Sequence, residues 1–118
     1  MASHRNIVLV TCASGLLATH IVDQFLRAGY AVRGTVRSQG TADRVHETFS
    51  EYMSLHELVV IPDITAPHAL DEAVHDVIGV IHTASPFVLH VDDNARDLIR
   101  SAIEGTVNVL QSASNYVP

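Results

Sequence analysis

The segment Thr11-Cys12-Ala13-Ser14-Gly15-Leu16-Leu17-Ala18, which follows the apolar run Ile7-Val8-Leu9-Val10, holds the chain's clearest chemistry. A small-residue turn between a buried strand and a helix lets backbone approach a pyrophosphate, whose charge is met by free amides and the positive helix end. Gly15 suits that task, and Ala18 is small enough for the helix to pack closely on the strand. The segment therefore reads as a dinucleotide-binding turn in which one glycine has been replaced, by Cys12. A thiol just ahead of a helix is also a candidate nucleophile or redox-sensitive group. The plainer account is a small residue tolerated in the turn, because the chain has one cysteine and its sequence places no base beside it.

Eight histidines in 118 residues raise metal and acid/base chemistry. His68, Asp71, Glu72 and His75 recur at spacings that share one helical face, able to present ligands or a proton relay. That face opposes the apolar stripe of the same segment, which favours plain solvation, and no His-x-His or His-Glu-x-x-His motif supports a metal. His90, with Asp92 and Asp93, follows the fourth predicted strand, at the edge where open α/β sheets place ligands. It is the first candidate acid or base, with Ser85 and Cys12 as further candidate catalytic groups. The alternative is an exposed loop histidine before an acidic helix start. The sequence contains no lysine, so no Tyr-x-x-x-Lys pair occurs in it.

Composition limits the partners. A chain of this length builds one small core, and a net charge of -6 argues against nucleic acid and anionic membranes. No apolar run approaches the roughly 18 residues of a membrane span. With one cysteine and a strand within a few residues of the N-terminus, the expectation is a cytoplasmic protein that meets a small molecule or another chain. Hydrophobic residues make up 47%, a surplus that suggests self-association.

The elements that must position these groups alternate along the chain. Ile7 to Val10 has the continuous apolar character of a strand buried on both faces. Leu17, Ala18, Ile21, Val22, Phe25 and Ala28 follow helical spacing until Gly29. Ala31 to Val36 is a second strand, and Gly40-Thr41 opens a second helix with Ala42, Val45, Phe49 and Met53 on one face. Leu58 to Ile61 is a third strand, ended by Pro62. Ala69, Leu70, Ala73, Val74 and Val77 predict a short third helix, and Val77 to Ile81 a fourth strand. After Asp92 a long helix is expected to bury Ala95, Ile99, Ala102, Ile103, Thr106, Val109, Leu110 and Ala113. The expected architecture is α/β, a Rossmann-like open parallel sheet in the order βαβαβαβα. It forms a single domain over residues 1–118, truncated after the fourth strand and last helix.

Five ordered blocks carry a resemblance: the strand and turn up to Ala18 with His20 to Gln24, Gly29 to Arg37, Asp63-Ile64, Ile81 to Pro86, and Gly105 to Leu110. The chain resembles the N-terminal part of an extended short-chain dehydrogenase/reductase, nearest to the NADPH-dependent aldehyde and ketone reductases related to dihydroflavonol reductase. The resemblance implies that Thr11, Ala13, Ser14, Gly15, Leu16 and Leu17 surround the pyrophosphate and that Arg37 meets the adenosine 2′-phosphate. Asp63 and Ile64 then flank adenine, and Thr83, Ala84, Ser85 and Pro86 line the nicotinamide side. The implied dinucleotide is NADP rather than NAD; because Cys12 stands where the family has glycine, the alternative is a Rossmann-like scaffold whose binding residues persist as packing and turn residues after binding was lost. His82 falls in the family's His-x-Ala-Ser-Pro pattern and is expected to be structural.

In that family the catalytic serine and the Tyr-x-x-x-Lys helix follow the blocks matched here. The expectation is therefore a chain without independent hydride transfer, working as an oligomeric non-redox isomerase, dehydratase or cyclase. The alternatives are a non-catalytic NADP-binding or regulatory module, or the cofactor-binding portion of an NADPH-dependent reductase. A fourth strand left at the sheet edge invites pairing, so a homo-oligomer through that edge or the last helix is expected.

Overall fold

The computed structural model describes residues 6–52, 54–83 and 99–117. The elements are β1 (Ile7–Val10), α1 (Leu16–Arg27), β2 (Ala31–Val36), α2 (Gln39–Thr48), a 3₁₀ turn (Ser50–Tyr52), β3 (His56–Val60), β4 (Val77–Ile81) and α3 (Arg100–Tyr116). All strand pairings are parallel, in the order β3-β2-β1-β4. The expected α/β open parallel sheet is thus present, and its winding reverses at β1, between β2 and β4.

Strand alternation divides the core into two layers. Val8 and Val10 of β1, with Val32 and Val36 of β2, join Ala18, Val22 and Leu26 of α1 and Ala42, Val45 and Phe49 at α2. Leu9 points the other way, into a cluster with Leu70, Ala73, Val74, Val77 and Val109. A strand with a helix layer on each side has to be apolar at consecutive positions, which is why β1 lacks polar alternation.

Two glycines set the close approaches. A Cβ on Gly34 of β2 would lie 2.5 Å from Ala13 Cβ and 2.9 Å from a Leu58 methyl, so β2 needs glycine where the turn after β1 crosses it. A Cβ on Gly105 of α3 would lie 3.3 Å from Ile64, where the helix seats against the chain leaving β3.

Three expectations are corrected. The third helix does not form: residues 64–76 make consecutive turns in which Ala69, Asp71 and His75 donate backbone bonds three residues back. His68 and Asp76 take left-handed backbone, φ 60° and 66°, which an α-helix does not accommodate. The side chain of Asp71 is held by His68 and Ser112 rather than lying along a helix surface. Leu70, Ala73, Val74 and Val77 are nonetheless buried, so the apolar spacing named the core face while misnaming the element.

The second correction concerns α3. Ile99, Ile103 and Leu110 are more than half exposed and Thr106 is exposed, whereas Gly105, Val109 and Ser112 are buried. The helix docks through its small and polar side because Asn108 Nδ2 donates to the carbonyls of Ile64 and Ala66, both at 2.9 Å, and Ser112 Oγ donates to Asp71 at 2.7 Å. The carbonyl of Ile64, and that of Ala66, which also accepts from Ala69 N, hold the polar face. The third is β3, which begins at His56 rather than Leu58 and ends at Val60, because pairing continues through Val32–His56 and Arg33–Glu57, the latter reinforced by an ion pair. Phe49 caps α2, while Met53 and Ala95, expected on buried faces, lie outside the described residues.

Replacing Gly34 with alanine tests the close approach. Gly34→Ala is expected to lower the unfolding free energy in urea by about 1–3 kcal/mol, since neither Ala13 nor Leu58 can withdraw without opening the layer above β2.

Candidate functional site

The carboxyl ends of β1 and β4 meet the start of α1 where the winding reverses, the position at which open α/β sheets form a ligand crevice. Thr35 of β2 fixes the turn there. Its side-chain oxygen accepts from Cys12 N at 3.1 Å and its carbonyl from Ala13 N at 2.8 Å, and Gly15 N closes the turn onto Cys12 O at 3.0 Å. Ala13 is fully buried over Gly34.

Cys12 adopts φ 55°, the left-handed region. That is the physical content of the expected glycine: an L-residue there costs about 1–2 kcal/mol, and the turn forms in spite of it. Cys12 is half-buried, and among the described residues its bonds run through its backbone, with no base paired to the thiol.

Gly15 is the N-cap of α1, in extended backbone with no side-chain cap. The first amides of a helix have no partner within it, so this end of α1 presents open donors with the positive end of the helix dipole. Leu16 and Leu17 extend their side chains into solvent at 83% and 65% exposure, while Ala18 is buried against the sheet. What the first two contribute to the turn is main chain.

On the other side of the turn, His82 bridges three elements. Its Nδ1 lies 2.9 Å from Thr11 Oγ1 and its Nε2 3.3 Å from Thr106 Oγ1, while Thr83 N donates to Thr11 Oγ1 at 2.8 Å. Burial pushes the His82 pKa down and favours the neutral ring, which suits a connecting role. Thr83 also donates through its hydroxyl to Thr11 O, so it is held at the crevice by two bonds.

Arg37 follows β2 and is exposed. Asp63, beyond β3, accepts from Thr65 Oγ1 at 2.6 Å and from Thr65 N at 2.9 Å. These two bonds, with a smaller contribution from the Arg37 charge, hold its carboxyl below the usual range. Ile64 packs beside Gly105. The structure therefore collects Thr11, Ala13, Ser14, Gly15, Leu16, Leu17 and Thr83 around one turn, with Arg37, Asp63 and Ile64 at the same end of the sheet. Ala84, Ser85, Pro86 and His90 lie outside the described residues, as do Asp92 and Asp93.

The histidine face is not built. His68 Nδ1 lies 2.9 Å from Asp71 Oδ2, His75 stacks on Tyr116 at 4.8 Å, and no group of three or more metal-binding side chains stands together among the described residues. A groove of about 790 Å³ between residues 65–71 and α3, lined in part by Thr65, His68, Asp71 and Asn108, shares no residue with the turn. Thr35 and Gly34 are the positioning residues that motif reading missed. The available signal was a glycine inside an otherwise apolar strand, which marks a close backbone approach.

Comparison with known proteins agrees with this geometry. The chain is 40% identical over 109 residues to an uncharacterized oxidoreductase of Schizosaccharomyces pombe, an alignment covering 92% of this chain and 32% of that protein. It is 37% identical over 113 residues to the NADPH-dependent methylglyoxal reductase GRE2 of Saccharomyces cerevisiae, covering 92% of this chain and 33% of the reductase. The crystal structure of yeast methylglyoxal/isovaleraldehyde reductase Gre2 complexed with NADPH superposes with a TM-score of 0.86 at 36% identity, over 94% of this chain and 33% of that one. The chain thus spans about a third of the length of the curated relatives it matches. No helix among the described residues is long and apolar enough to cross a membrane. With a family model matching residues 9–117, the strand, turn and crevice described here are those of a member of the 3-beta hydroxysteroid dehydrogenase/isomerase family.

Proposed function

We propose that these residues form the NADP(H)-binding unit of an NADPH-dependent carbonyl reductase acting on small aldehydes or ketones, the kind of substrate for which Gre2 is named. The observation that carries this is the pairing of an uncapped α1 N-terminus with an exposed Arg37 at the end of the adjacent strand. A dinucleotide pyrophosphate suits open helix amides, and a guanidinium suits a 2′-phosphate, where an NAD site would offer an acidic residue to the ribose. Val36-Arg37-Ser38 offers none, and Ser38 is occupied by the α2 N-cap, where its side chain accepts from Thr41 N.

Thr11, Ala13, Ser14, Gly15, Leu16 and Leu17 would hold the pyrophosphate through main chain, Arg37 the 2′-phosphate, and Asp63 and Ile64 the adenine side. Thr83, with Ala84, Ser85 and Pro86 after it, would face the nicotinamide. The dinucleotide supplies hydride when bound. Proton donation to the carbonyl needs a hydroxyl tuned by an ammonium, and with no lysine in the sequence that group has to come from outside these 118 residues. Relatives named for an activity, Gre2 among them, are reductases, which supports this reading over an isomerase, dehydratase or cyclase. A single cysteine suits a reducing, cytoplasmic setting. We assign pairing with another polypeptide, a second copy included, to the free edge of β4 and the outward Ile103 and Leu110 of α3.

Calorimetric titration with NADPH and NADH tests the cofactor assignment. Arg37→Ala is expected to weaken NADPH binding by about 1–3 kcal/mol while leaving NADH unchanged; equal loss for both would remove Arg37 from the 2′-phosphate. Cys12→Gly should raise the unfolding free energy by about 1 kcal/mol by relieving the left-handed backbone, and should tighten NADPH binding. Weaker binding in that variant would instead give the thiol a role in the site.

A further inference from the structure

His56 opens β3 on the face covered by α2 and is only 4% exposed, yet neither ring nitrogen has a hydrogen-bond partner among the described residues. It packs edge-on against Phe49, with ring centroids 5.3 Å apart, and against His46 of α2 at 5.9 Å. A buried imidazole donor without an acceptor is already costly, and a second proton would add a charge with nothing to pair it.

The neighbouring groups deepen that cost. From α2 the facing titratable group is His46, which repels a protonated His56. From β2 the facing residues are Val32, its register partner, and Gly34, whose Cβ position would lie 3.9 Å from His56 Nε2. The charged residues of these two strands, Arg33 and Glu57, turn to the opposite face and pair with each other. Burial, then His46, hold the His56 pKa down to about 4.

We infer that His56 is an acid-sensitive latch beneath α2: protonation expels the ring from its apolar seat and frees α2 from the sheet, while β1, β2 and β4 stay paired. The place in the fold permits this. β3 is an edge strand, so the seam between it and α2 can open without breaking the interior of the sheet. The Gly34 surface that lies near His56 also seats Ala13, and α2 begins immediately after Arg37 and Ser38. Resting on the proposed cofactor role of these residues, a second consequence is weaker NADPH binding in acid.

The sign follows from linkage. The released ring binds a proton near its ordinary pKa of 6.5 and the seated ring near 4, so the opened state gains protons as pH falls through that window. Hydrogen exchange on the cofactor-free chain, with rates corrected for intrinsic pH dependence, tests this. The α2 amides are expected to lose protection about 20- to 30-fold between pH 7 and pH 5, the β1 amides far less, and His56→Leu should abolish the difference. A His56 ring resonance titrating at or above pH 6, or an α2 loss unchanged in His56→Leu, would overturn the latch. If His56→Leu does not fold, His46→Gln serves instead: it removes the like charge and should raise the His56 titration point, and no movement overturns the proposed seat. NADPH failing to bind at any pH would sink the cofactor reading and leave the exchange result standing.

Discussion

The seat of Ala13 on Gly34 is the contact on which the rest of this structure depends. With no side chain at Gly34, the chain leaving β1 crosses β2 at backbone distance, and Thr35 pins it there by accepting from two successive amides. That crossing directs α1 back over the sheet with Gly15 at its uncapped end, and it forces Cys12 into left-handed backbone. Closeness at this point gives main-chain amides, rather than side chains, the first approach to a bound anion. Leu16 and Leu17, whose side chains point away into solvent, show the same division of labour.

The two faces of the sheet are built by different means. Over the first, α1 and α2 lay apolar stripes on Val8, Val10, Val32 and Val36, and hydrophobic burial dominates. Over the second, residues 64–76 leave backbone carbonyls that helical bonds would otherwise satisfy, and side chains reach in to meet them. Asn108 takes the carbonyls of Ile64 and Ala66, and Arg33 those of Ala73 and His75, at 2.7 to 2.9 Å. The side of α3 that carries Gly105, Asn108, Val109 and Ser112 is thereby drawn inward, and Ile103 and Leu110 are left outward.

Two of the described histidines, His56 and His82, serve the packing and connection of elements. His82 connects the ends of β1 and β4 with α3 through two threonine hydroxyls, and His56 fills a gap between α2 and β3 with no hydrogen-bond partner among the described residues. Burial of His56, and partial burial of His82, favours the neutral ring in both. Of His68, Asp71, Glu72 and His75, the turns pair His68 with Asp71, which also accepts from Ser112, while His75 lies against Tyr116.

The sequence by itself determined the four strands in order, the helices after β1 and β2 and the last helix, the boundaries of β1, β2 and β4, the turn at residues 11–18 and the position of Arg37. Each of these rests on short-range physics: apolar continuity for a strand covered on both sides, helical spacing for an amphipathic helix, small residues for a tight turn. Tertiary structure decided the rest. Residues 64–76 have helical spacing and bury the residues that spacing marks, but left-handed backbone at His68 and Asp76 and the clamp from Asn108 turn the segment into a run of turns. The inward face of α3 was settled by the carbonyls of Ile64 and Ala66 some 40 residues away, and the cost of a side chain at Cys12 by Thr35 on another strand. Local periodicity records which residues are apolar, whereas the demand that every buried polar group find a partner is met only once distant segments are brought together.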